Sequence, residues 1–199
     1  MFRDRRDAGR QLAKHLTAHA ALHPIVVGLP RGGVVVAAEV AACLDAPLDI
    51  LVVRKLGSPL QPELGLGAIA EGEVRVLNER LVADEGVGPV ELDALTARER
   101  AEVERRVARY RGNRPRLDLR DRTVLLVDDG LATGYTARAA IEAARRVGAR
   151  QVILAVPVAS DDRIVALIPE AFSHSYVTEA AVGLLAGVVA AIGLLGWAL

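Results

Sequence analysis

The sequence predicts an α/β fold, an open and mostly parallel sheet flanked by helices. Two observations predict it. Short apolar runs at Ile25–Gly28 and Thr123–Val127 read as strands buried on both faces. Each leads through a glycine-bearing loop into a helical stretch and then a second apolar run. The chain therefore holds two β-loop-α-β units, and such units build parallel sheets. Length and charge set the bounds. With 199 residues the chain fits one domain and a small appendage. Its 25 Lys and Arg balance 25 Asp and Glu, so no global field draws nucleic acid or an anionic membrane. An aromatic content of 3% leaves few platforms for stacked bases.

The elements follow in order. Arg3 to Ala21 has helical spacing, with Ala8, Leu12, Leu16 and Ala20 on one face, and Pro24 ends it. The opening MFRDRRDAGRQL is charged and lacks the apolar core of a signal peptide. Ile25–Gly28 is the first strand, LPRGG a loop, Val34–Leu44 a helix and Asp49–Val53 the second strand. Arg54–Glu73 is rich in Gly and Pro and predicts a long loop, with a short strand at Gly67–Ala70 pairing with Val74–Leu77. Glu91–Tyr110 predicts a helix with a thin apolar stripe of Leu92, Leu95, Val103 and Val107, its Arg and Glu forming a solvated face. Thr123–Val127 is the next strand and Asp128–Gly134 its loop. Thr136–Val147 is a helix closed by Gly148, and Gln151–Val156 is a strand stopped by Pro157.

The loop DDGLATGYT carries the chemistry. Adjacent carboxylates, Asp128 and Asp129, end a buried strand and can accept hydrogen bonds from a vicinal diol. Gly130 and Gly134 allow close backbone approach and positive φ. Thr133 and Thr136 offer hydroxyls, and the first amides of the following helix favour an anion. A diol reader and a phosphate cradle a few residues apart suit a ribose 5-phosphate. No G-x-x-x-x-G-K-[ST] string is present. Gly65, Gly67 and Gly72 have the wrong spacing for a dinucleotide fingerprint.

Val124–Thr136, VLLVDDGLATGYT, resembles the phosphoribosyl pyrophosphate (PRPP) motif of type I phosphoribosyltransferases. GLPRGG, Gly28–Gly33, resembles that family's pyrophosphate loop, and Val53–Lys55 resembles the strand end that brings a cation to the pyrophosphate. Phe2 to about Ser160 is similar to bacterial members of unassigned substrate. The resemblance implies the following roles. Asp128 and Asp129 would hold the ribose hydroxyls and, indirectly through ribose and water, a Mg²⁺ ion. Ala132, Thr133, Gly134 and Thr136 would hold the 5-phosphate, with Gly130 also among the ligand-binding residues. Arg31, Gly32, Gly33 and Lys55 would face the pyrophosphate, and Arg31, Lys55, Asp128 and Asp129 would carry catalysis. Phosphoribosyl transfer to a nucleobase or similar nitrogen acceptor is the implied reaction, within nucleotide salvage. A PRPP or nucleotide sensor that keeps the loop without turnover is the alternative. Glu63 and Glu71 are weaker candidates for orienting a base or metal-bound water.

Other residues carry less. Cys43, alone and set among Val40, Ala41, Ala42 and Leu44, reads as a buried small hydrophobe in a reducing, cytoplasmic protein. His15, His19 and His23 are spaced to share one helix side, without a carboxylate to complete a metal set; His174 is uninformative. Residues 1–176 are read as the phosphoribosyltransferase-like domain, with a small hood and flexible-loop region. In the family a hood of terminal segments holds the acceptor, and Pro169–Phe172 faintly resembles it; after Tyr176 the likeness ends. Residues 177–199 form an apolar tail. Ala180–Leu199 has no charge and predicts a helix just long enough for a bilayer. It reads as a membrane anchor, as a packing or partner helix, or as an altered terminus. Nucleic acid is not expected as a partner, and a homodimer is the family's common state.

Overall fold

The computed structural model describes residues 2–158, except 63, 73 and 132–134, together with 180–185 and 188–193. Helix α1 spans Arg5–Leu16, capped by Asp4, whose carboxylate accepts from the Asp7 amide at 2.8 Å. The helix is shorter than its periodicity suggests. Thr17–Leu22 tightens into a 3-10 turn that ends at His23 in the left-handed conformation. His15, His19 and His23 therefore do not share one helix face.

Strand β1 (Ile25–Gly28) feeds α2 (Gly32–Leu44), which leads to β2 (Leu48–Ile50). Strand β6 (Thr123–Val127) feeds α5 (Tyr135–Arg146), which leads to β7 (Gln151–Ala155). These four strands form one parallel sheet in the order β2-β1-β6-β7. Alternate residues bury on opposite faces. Val26, Leu125, Val127 and Ile153 pack under α1 and α2, while Ile25, Val27, Leu126 and Leu154 pack under α5. Burial on both faces is why the strands read as continuous apolar runs. Gly9 lets α1 approach α2 closely, since a Cβ there would stand 2.7 Å from the Val36 carbonyl.

Asp49–Val53, expected as one strand, divides. Its first half is β2. Its end opens a second sheet in which β3 (Val53–Gly57), β4 (Gly65–Ala70) and β5 (Val74–Leu77) run antiparallel. This sheet leans on α5 through Ala68, Ala70 and Val74. Its other face packs against a short helix α3 (Glu79–Asp84), which the sequence reading missed, and α4 (Pro89–Arg111).

The charges of α4 are not all solvated. Glu99 is buried and pairs with Arg54 at 2.8 Å. Arg111, 8% exposed, donates to Glu71 at 2.6 and 3.1 Å, to Asp49 at 3.3 Å and to the Ile50 carbonyl at 2.7 Å. Glu71 therefore ties α4 to the sheets and is neither solvated nor at the ligand loops. Cys43 is exposed, because the buried stripe of α2 is Gly33, Val36, Ala37, Val40 and Ala41.

In the tail, Ala180–Leu185 (β8) and Val188–Gly193 (β9) pair as an antiparallel hairpin where a helix was expected. Short apolar runs with β-branched residues and glycines suit either state, so periodicity misleads there. Among the described residues, no helix is long and apolar enough to cross a membrane. Glu63, His174, the 169–172 hood segment and the 176/177 boundary lie outside the described residues.

Candidate functional site

The two parallel units run outward from the β1–β6 pair in opposite directions, with α2 and α5 on opposite faces. That reversal opens a crevice at the carboxyl ends of β1 and β6, the place where α/β sheets hold ligands. LPRGG leaves β1 there and DDG leaves β6. The Leu29 amide donates to the Val127 carbonyl at 2.9 Å, locking the two strand ends together.

The loops touch through glycines. A Cβ on Gly33 would stand 2.7 Å from the Val127 carbonyl and 2.9 Å from Asp128 Oδ1. A Cβ on Gly32 would overlap the Asp129 carboxylate. At Gly33 the obstacle is backbone and at Gly32 it is the Asp129 side chain, so the start of α2 lies flush against the two acids. The Pro30–Arg31 peptide is cis. Arg31 is exposed and makes no hydrogen bond or ion pair among the described residues. Gly130, by contrast, lies outside the positive-φ region, and a Cβ there would meet the Val158 carbonyl at an ordinary 3.6 Å. The expectation of positive φ at Gly130 is not met.

Asp128 and Asp129 differ in environment. The Asp129 amide donates to Asp128 Oδ1 at 2.8 Å. Burial pushes the Asp128 carboxyl up from 3.8 to about 7; the Asp129 amide opposes that rise and the Asp129 charge adds to it. The Asp129 carboxylate instead receives the Arg5 Nε at 2.7 Å. Thr136 lies in the first turn of α5, half-buried. Ala132, Thr133 and Gly134 lie outside the described residues.

Lys55 stands in β3 opposite Ala68. Its Cδ comes within 3.4 Å of the space that Gly65 leaves open, and Tyr135 Cδ2 lies 3.5 Å from the same point. Lys55 is thus brought to the start of α5, although β3 belongs to the other sheet.

Residues 4–167 match the family model described as the phosphoribosyl transferase domain. The chain belongs to the phosphoribosyl transferase family. A Mycobacterium tuberculosis protein, Rv0571c, provisionally named a phosphoribosyl transferase, is 52% identical over 162 residues. That match covers 81% of this chain and 37% of the relative, so the chain spans little more than a third of its length. The crystal structure of TT1426 from Thermus thermophilus is 44% identical, with a TM-score of 0.72, covering 84% of this chain and 79% of that one.

Within this phosphoribosyl transferase fold, three residues at the loops escaped the sequence reading. Arg5 reaches Asp129 from α1. Tyr135 accepts from Asn78 Nδ2 at 2.6 Å, and Asn78 caps α3 by accepting from the Leu81 amide. The FRDR string held Arg5 in view, but no spacing rule connects residues 5 and 129.

Proposed function

We propose that this chain transfers the phosphoribosyl group of PRPP to a nitrogen acceptor, a nucleobase or similar amine, and releases pyrophosphate. The observation that carries the reading is the flush contact of Gly32 and Gly33 with Asp128 and Asp129 at the crevice between β1 and β6. One loop offers acceptors for ribose hydroxyls, and the other offers backbone and cations to the diphosphate.

Asp128 and Asp129 would accept the ribose hydroxyls. The amides at the start of α5, with Thr136 and the 130–134 loop, would hold the 5-phosphate by hydrogen bonds and helix polarity. Arg31 and Lys55 would draw the diphosphate into line and neutralise its charge as the C1–O bond breaks. The acceptor nitrogen then forms the C1–N bond and loses its proton to water. No covalent bond to the protein is needed, so positioning supplies much of the rate.

The acids are hard oxygen donors and fit Mg²⁺. Among the described residues no group of three metal-ligating side chains gathers, so an ion there would draw most of its shell from phosphate oxygens and water. When bound, Mg²⁺ would offset charge on the departing pyrophosphate.

The test is pyrophosphate release from PRPP with Mg²⁺ across purines, pyrimidines and simple amines. Release with one acceptor class supports the transfer reading. PRPP binding without release for any acceptor removes it.

A further inference from the structure

We infer that Tyr135 is a positioning residue, a role that rests on the proposed PRPP site. Through its hydrogen bond to Asn78 it sets the distance between Lys55 and the phosphate loop. The site is thereby gauged for a donor that carries phosphates at both ends of the ribose.

Tyr135 is the first residue of α5 and is half-buried. Its hydroxyl oxygen accepts from Asn78 Nδ2 at 2.6 Å. Asn78 follows β5 and is itself held in place. Its backbone amide donates to the Leu66 carbonyl of β4 at 2.8 Å, and its Oδ1 accepts from the Leu81 amide of α3 at 3.1 Å. A backbone N–H can only donate, so Leu81 claims Oδ1 and leaves Nδ2 for the tyrosine. The Tyr135 ring also meets β3 and β4. Its Cδ2 lies 3.5 Å from the point where a Cβ on Gly65 would stand, and Lys55 Cδ lies 3.4 Å from the same point. One ring is thus placed against the start of β4, the stem of Lys55 and the residue after β5.

Ala68, Ala70 and Val74 also pack toward α5, but apolar packing is non-directional. A hydrogen bond has a preferred length and angle. The bond from Asn78 to Tyr135 therefore fixes the register of the second sheet against α5. Lys55 rides on that sheet, and the proposed 5-phosphate cradle includes the first turn of α5. A ribose ring holds its 5-phosphate and its 1-diphosphate at a set span. A ligand that touches both ends feels the register, and a ligand that touches one end does not.

PRPP binding by the full chain with Mg²⁺ is measured by calorimetry, and binding of ribose 5-phosphate and of inorganic pyrophosphate by displacement of PRPP. Tyr135→Phe keeps the ring and loses the acceptor. It is expected to weaken PRPP about three- to tenfold, as for one lost hydrogen bond, and to leave each half-ligand within about twofold of the wild type. Asn78→Ala should repeat the pattern with a lower melting temperature, because α3 also loses its cap, and it serves if Tyr135→Phe does not fold. The double variant should bind PRPP no more weakly than Asn78→Ala alone. Unchanged PRPP affinity in both single variants overturns the inference, as does an equal loss for all three ligands, the mark of a general structural role. Losses that multiply in the double variant overturn it as well. A wild-type chain that does not bind PRPP removes the donor reading and the inference with it, an outcome distinct from bound PRPP that ignores the variants.

Discussion

Arg5 Nε lies 2.7 Å from Asp129 Oδ2, joining the first turn of α1 to the end of β6 across 124 residues of sequence. Both side chains are partly exposed, at 61% and 32%, so the pair adds little to folding. Its effect falls on the acid, which would otherwise present an unscreened charge to PRPP, the polyanion proposed as ligand. Arg5→Ala is expected to leave the melting temperature nearly unchanged and to weaken PRPP binding by a factor of about five, the upper range for such pairs. Calorimetric titration and thermal unfolding of the same variant check both halves.

The two acids should respond unequally to Asn. In the proposed diol role each substitution would remove charged hydrogen bonds to the ribose, worth about 1.5–3 kcal/mol, so PRPP affinity should fall roughly 10- to 150-fold in either. Asp128→Asn should also raise the melting temperature at pH 8, because a carboxylate that burial disfavours is gone. Asp129→Asn should not. Unchanged PRPP affinity in both variants would remove the diol assignment.

Asp128 also predicts a pH dependence. Its carboxyl, pushed up from 3.8 to about 7, keeps its proton in the folded chain where the unfolded chain has lost it. The folded state binds the extra proton between those two values. This group's contribution to stability is therefore complete below pH 3.8, declines as pH rises through 7 and is flat above. PRPP affinity should move the other way across the same window, since in the proposed role the ionised form would accept the hydroxyls. Denaturant melts and PRPP titrations from pH 5 to 9 should show the two trends crossing. Parallel trends would refute the role given to Asp128.

Neighbouring glycines should separate folding from binding. At Gly33 an added methyl meets backbone, the Val127 carbonyl at 2.7 Å and Asp128 Cα at 2.8 Å, so Gly33→Ala should cost about 1–3 kcal/mol of stability. At Gly32 the obstacle is the Asp129 side chain, which can swing away. Gly32→Ala should therefore keep most of its stability and lose PRPP affinity.

Glu71 supplies a control. Its carboxylate answers the buried Arg111, and removing one partner of such a pair costs about 3–5 kcal/mol. Glu71→Ala should lower the melting temperature markedly and leave the PRPP KM of the folded fraction unchanged. A shifted KM at full stability would return Glu71 to the ligand site.

By itself the sequence determined the two parallel units and the chemistry of their loops. Strands buried on both faces must be apolar throughout, and a strand-to-helix corner with paired acids and glycines has few other uses, so β1, β6, β7, α5 and the acids were legible from local pattern. Tertiary structure alone decided what those patterns meet. The β2-β1-β6-β7 order places LPRGG beside DDG, and strand order is set by which apolar faces bury best together, a sum over contacts distant in sequence. The same reason hid Arg5 at Asp129, moved Lys55 into a second sheet that leans on α5, and turned Glu71, Glu99 and Arg111 from surface charges into buried pairs. A charge on a helix face reads as solvated until the element packed against that face is known.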